Sequence, residues 1–116
     1  MNINSSLPVG ADWRVDMNNT GPASASGVVY AICGKEKKVS AVQGPETDNP
    51  ASAQTPATVS CPRNTVPFSG GILAESVGPL TVSLNATFPN GQQWTSFENN
   101  ASTGSVETYA EAICGS

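Results

Sequence analysis

Along most of the chain, apolar and polar residues alternate with period two, the spacing of a strand that turns one face to a core and the other to water. Trp13, Val15 and Met17 alternate within residues 12–17, Leu80, Val82 and Leu84 within 80–86, and Val39 and Ala41 within 38–43. Residues 56–61, 65–68 and 71–75 form shorter candidates. The adjacent β-branched Val28 and Val29 mark 27–33 as a further strand. Between these runs lie turn residues: Asn18-Asn-Thr-Gly-Pro, Ser69-Gly-Gly, Val77-Gly-Pro, Pro89-Asn-Gly and Asn99-Asn-Ala-Ser. Short strands, turns roughly every eight to twelve residues and no helical window predict an all-β fold, an antiparallel β-sandwich or small barrel. Its core is expected to take Trp13, Trp94, Leu80, Val82 and Leu84, which is thin for a chain of 116 residues.

The pattern repeats within the chain. Residues 3–34 align without a gap on residues 84–115, at an offset of 81, and eleven of these thirty-two positions are identical: Asn4, Pro8, Gly10, Trp13, Asn18, Asn19, Ser24, Ala31, Ile32, Cys33 and Gly34. The middle of the chain, about 36–83, has no copy. A single β-sandwich domain over 1–116 is therefore read as a half-unit, 1–35, followed by a complete unit, 36–116. The half-unit is either what a boundary through a tandem array leaves or a half kept because it supplies strands to the complete one. The repeat also decides residues 106–114, whose Glu and Ala favour a helix. Their counterpart 27–33 reads as a strand, so both are expected to be strands.

Composition then narrows the function classes. The chain has no histidine, which excludes His-based nucleophile pairs and the common zinc sites. A net charge of −4, with five Lys+Arg, argues against nucleic acid. No run approaches a membrane span, and residues 1–10 lack the basic start and apolar core of a signal peptide, so a secretion signal is expected upstream. The paired carboxylates a glycosidase needs have weak candidates in Asp12 and Asp16, whose counterparts Gln93 and Phe97 are not acidic, and Glu98 lies beside the latter. The expectation is a non-enzyme with no catalytic residues, no metal and no cofactor. Three cysteines, Cys33, Cys61 and Cys114, suit an oxidising compartment and a disulfide. Spacing leaves the pairing open: one bridge per unit joins Cys61 to Cys114, whereas a bridge across the unit boundary joins Cys33 to Cys61.

The segment Thr58-Val-Ser-Cys-Pro-Arg-Asn-Thr-Val-Pro-Phe-Ser-Gly-Gly71, then Phe88-Pro89, Trp94, Asn99-Asn100 and the closing Ala112-Ile-Cys-Gly115, resembles a repeat found in secreted proteins of actinomycetes and other bacteria. The resemblance covers nearly the full chain, residues 1–35 matching the second half of a unit. It implies export, a β-rich fold and a bridge between the first and last cysteine of a unit, here Cys61 and Cys114, leaving Cys33 as a free or intermolecular thiol. It implies no activity. Glu111 departs from the pattern, since Tyr30 holds its place in the first copy.

Trp13 and Trp94 are candidate ligand-stacking residues as well as candidate core, and the paired Asn18-Asn19 and Asn99-Asn100 are candidate ligand amides as well as turn formers. Lys35-Glu-Lys-Lys38 is read as a solvated connector, and residues 44–56, with three prolines and nothing apolar larger than alanine, as an exposed loop. The function expected is a secreted, extracellular binding module for a protein or cell-surface glycan, without membrane insertion, with dimerisation open through the half-unit or Cys33. A small protease inhibitor and a structural spacer or assembly subunit are the alternatives.

Overall fold

The computed structural model describes residues 1–31, 33–35, 38–75 and 81–116. Among them are nine strands and no helix: β1 (Asn2–Val9), β2 (Asp12–Asn18), β3 (Val39–Gln43), β4 (Thr47–Asn49), β5 (Ala53–Ser60), β6 (Val66–Glu75), β7 (Val82–Asn90), β8 (Gln93–Asn100) and β9 (Val106–Gly115). Every pairing is antiparallel. One sheet runs β2-β1-β6-β9-β3, with β4 also on β9, and the other runs β5-β8-β7. The fold is the expected sandwich, with two open sheets rather than a closed barrel.

β9 is the strand that the first sheet is built around. On one side it pairs with β6 along its length, and on the other with β3 through residues 111–115 and β4 through 106–108. Val106, Thr108, Ala110, Ala112 and Cys114 alternate into the interior. Two flanking ladders and a small-residue buried face outweigh the helix propensity of its Glu and Ala. Against it lies the second sheet, and the main core joins Ala110, Ala112, Cys114 and Ile72 to Ala57, Val59 and Cys61. A smaller cluster holds Ala74, Val82 and Val106.

Within the main core Cys61 and Cys114 form a disulfide, with Cα atoms 5.6 Å apart. It ties the end of β5 to β9 and so fastens one sheet to the other. Cys33 is a free, exposed cysteine.

Several expectations are corrected. Residues 27–31 carry no strand, although their counterpart is β9: the ladder edges that would hold them, on β6 and β3, are already taken by β9. Ser69-Gly-Gly is not a turn but the middle of β6. Its glycines serve close approach, since a Cβ on Gly71 would sit 1.6 Å from the Ser6 carbonyl oxygen and one on Gly70 2.5 Å from the Trp94 ring. The stretch 44–56 is not a free loop; it contains β4 and the start of β5, and its Asn49 is buried. Of the expected core residues, Val82 is fully buried and Trp94 and Leu84 are half-buried against the main core, whereas Trp13 is half-buried on the cleft instead. Leu80 and the Val77-Gly-Pro turn lie outside the described residues, as do positions 32, 36 and 37.

The disulfide closes a loop spanning 53 positions. Constraining an unfolded chain at that length is worth about 4 kcal/mol in the loop-entropy treatment, a large share of a small domain's stability. A double Cys61→Ala, Cys114→Ala variant is therefore expected to lose about that much in urea unfolding monitored by tryptophan fluorescence, whereas Cys33→Ala leaves the midpoint in place.

Candidate functional site

The two tryptophans sit on hairpins built alike. β1–β2 and β7–β8 each turn through a glycine in the left-handed region, Gly10 at φ 61° and Gly91 at φ 63°. Each first strand has a bulge, at Ile3/Ser5 and at Leu84/Ala86. In each the indole N–H crosses to a hydroxyl on the first strand, Trp13 Nε1 donating to Ser6 Oγ at 3.0 Å and Trp94 Nε1 to Thr87 Oγ1 at 2.6 Å. All of these positions are 81 apart.

The second asparagine of each pair, Asn19 and Asn100, makes the same local contacts. Asn19 Oδ1 accepts from the Gly21 amide at 3.0 Å while its Nδ2 donates to the Ala23 carbonyl at 2.9 Å. Asn100 repeats this with the Ser102 amide at 3.0 Å and the Gly104 carbonyl at 2.8 Å, and also donates to the Asn49 carbonyl at 2.8 Å. Both amides thus hold the bend that follows the hairpin. Asn18 Nδ2 donates to the Val82 carbonyl at 3.1 Å, and Asn99 Oδ1 accepts from Gln54 and Asn85. Asn99 and Asn100 line a shallow hollow with Gln54, and Trp94 lies over Gly70 beside the core.

The structure brings two sequence-predicted candidates, Trp13 and Cys33, into one cleft. This cleft, of about 360 Å³, lies on the side of the first sheet turned away from the core. Pro8, Trp13, Val39, Phe68 and Ile113 supply its apolar lining, the hairpin turn at 10–12 forms one side, and Ala31, Cys33 and Gly34 form another. Its polar side chains are Asp12, Ser69 and the Cys33 thiol, the Trp13 N–H being held by Ser6. Val39 and Phe68 are exposed there. Sequence reasoning finds Trp13 and Cys33 but not the rest, because Val39, Phe68 and Ile113 are distant in sequence and become neighbours only through the β3-β9-β6 ladder.

The carboxylates are dispersed. Asp12 is on the cleft, Asp16 is bridged to Arg14 at 2.9 Å, and Glu98 is 0% exposed inside the sandwich. Asn49 Nδ2 reaches the Glu98 carbonyl at 3.3 Å and its Oε2 at 3.4 Å, while Glu98 Oε1 and Asn49 Oδ1 have no hydrogen-bond partner. Burial pushes this carboxyl up to about 7, and the Asn49 hydrogen bond offsets it only in part. Among the described residues there is no cluster of three or more metal-ligating His, Cys, Asp or Glu side chains. Nor is any helix among them long and apolar enough to cross a membrane.

No protein-family model, curated protein or solved structure matches this chain.

Because the folded carboxyl of Glu98 keeps its proton to about pH 7 while an unfolded one releases it near 4.5, the folded state binds the extra proton between those values. Stability then falls as pH rises through that window and levels above it, by up to about 3 kcal/mol. Half-buried Glu111, raised by desolvation, acts in the same direction. Urea midpoints across pH 4–8 are expected to show this decline in the native protein and a clearly shallower one in Glu98→Gln.

Proposed function

We propose that this protein is an extracellular, non-catalytic binding module that recognises a protein partner by taking an apolar side chain into the cleft between Trp13 and Phe68. The cleft carries the reading: a concave, largely apolar surface with a few polar groups is what ligand sites offer, and here it is framed by sheet strands and a tight hairpin. The core disulfide is compatible with an oxidising compartment. A protein side chain suits the lining better than a sugar, since a sugar ring asks for several side-chain hydrogen bonds and the polar lining is limited to Asp12, Ser69 and Cys33.

Phe68 is 53% exposed, so a substitution there tests the cleft without disturbing the core. Burying one aliphatic or aromatic side chain is worth about 1.5–3 kcal/mol, or about tenfold to a hundredfold in affinity. Peptides selected from a random displayed library on the native protein are expected to share a large apolar residue and to bind Phe68→Lys at least about tenfold more weakly by fluorescence titration. Selected peptides that bind both proteins equally, or glycan-array binding that depends on Trp13, would overturn the reading in favour of another surface or ligand class.

A further inference from the structure

The hairpin equivalence stops abruptly after the asparagine clamp. At Asn100 the chain goes on through the Ser102 bend into β9, the centre of a sheet. At Asn19 it goes on through the Gly21 bend into residues 24–31, which share that register but pair with nothing: Val28 is 76% exposed, Val29 45% and Tyr30 86%. This stretch has the composition of a buried strand. The positions matching the inward face of β9 are Ala25, Gly27, Val29, Ala31 and Cys33, all small or apolar like Val106, Thr108, Ala110, Ala112 and Cys114. No residue from Ala23 to Gly34 is charged or a proline, whereas free edges in natural sheets usually carry charge or proline to prevent pairing.

What such a strand requires is shown by its counterpart. β9 lies between β6 and the β3/β4 edge, and its Cys114 bonds Cys61 at the end of β5. We propose that residues 25–34 are a donor strand that completes the sheet of a second polypeptide carrying a copy of the β3–β6 segment without its own β9. Cys33 forms with that partner the disulfide that Cys114 forms within this chain. The pairing is strand addition, with main-chain hydrogen bonds supplying affinity and the alternate small side chains supplying register. The bond forms by thiol–disulfide exchange: the Cys33 thiolate attacks the partner cysteine held as a mixed disulfide with a small thiol, the sulfur–sulfur bond transfers, and the small thiol leaves as thiolate. The inference rests on the binding-module reading; it shares Ala31, Cys33 and Gly34 with one side of the cleft but does not use Trp13, Val39, Phe68 or Ile113.

The test uses the full chain with its Cys61–Cys114 bridge intact and, as probe, a peptide with the sequence of residues 38–75 whose cysteine is blocked by glutathione. The expected product is a Cys33-to-peptide disulfide, formed about tenfold faster than with a scrambled peptide of the same composition, with slowed amide exchange across 27–33. Val29→Asp, which puts a charge on the inward face, is expected to abolish both the rate advantage and the protection, and Phe68→Lys to leave them intact, so that the cleft and the strand fail separately. A second form avoids dependence on a free peptide: a copy of residues 36–75 joined ahead of residue 1 is expected to place its cysteine in a bridge with Cys33. Equal rates for native and scrambled peptides, unchanged amide exchange, a Cys33–Cys33 dimer as the main product, or no bridge to the added copy would each overturn the proposal.

Discussion

The structure depends on how little separates its two sheets. The fully buried apolar side chains are few and small, with Ile72, Val59 and Val82 the largest, and alanines fill much of the rest. A thin interior returns little hydrophobic free energy per residue, so the covalent link between Cys61 and Cys114 sits where larger proteins would place leucine or phenylalanine. The same thinness lets the Trp94 ring of the second sheet meet backbone directly at Gly70, where no Cβ fits. It also explains how a carboxyl such as Glu98 ends inside: polar side chains on inward strand positions have no wet layer to reach.

Period two was legible because one side of each strand faces the interior, and it located β2, β3, β5 and β7 to within a few residues, whereas β9 was legible only through its counterpart 27–33, whose described residues form no strand themselves. Fold class followed from the same signal. What the pattern could not carry was anything set by a distant neighbour. Ser69-Gly-Gly has the chemistry of a turn, and its pairing with residues 111–113 of β9, far along the chain, makes it a strand. Asn49 sits in a proline-rich stretch that reads as solvent-exposed, and its burial comes from β4 closing on β9 and β8. The cleft was legible in Trp13 and Cys33 alone, since Val39, Phe68 and Ile113 arrive from three strands far apart in the chain.

The paired hairpins separate local from non-local causes unusually cleanly. Turn glycine, bulge, indole hydrogen bond and asparagine clamp are reproduced at both sites, one on an outer edge of the first sheet and one in the second. Those devices depend on residues within about ten positions and survive the change of surroundings. Strand formation after the clamp does not survive it. Residues 25–31 and 106–112 share register and a small-residue face, yet one is a central strand and the other lies open, because a strand is stabilised by neighbours it does not contain. For the same reason Asn18, Asn19, Asn99 and Asn100, conspicuous as doublets, turn out to be occupied largely with holding the hairpin ends.

The position of β9 in chain order has a kinetic side. β3, β4 and β6 are all made before it, and each finds its principal ladder partner only when residues 106–115 follow. As a ribosome adds residues one at a time, the two hairpins can close within their own few dozen atoms of backbone, but β3, β4 and β6 lack the strand that joins them, and the Cys61 thiol its partner in this bridge, until β9 emerges. The second sheet, β5-β8-β7, can therefore be complete while the strands of the first still wait for the one that joins them, so the two layers of the sandwich are separable in time although not in the finished fold.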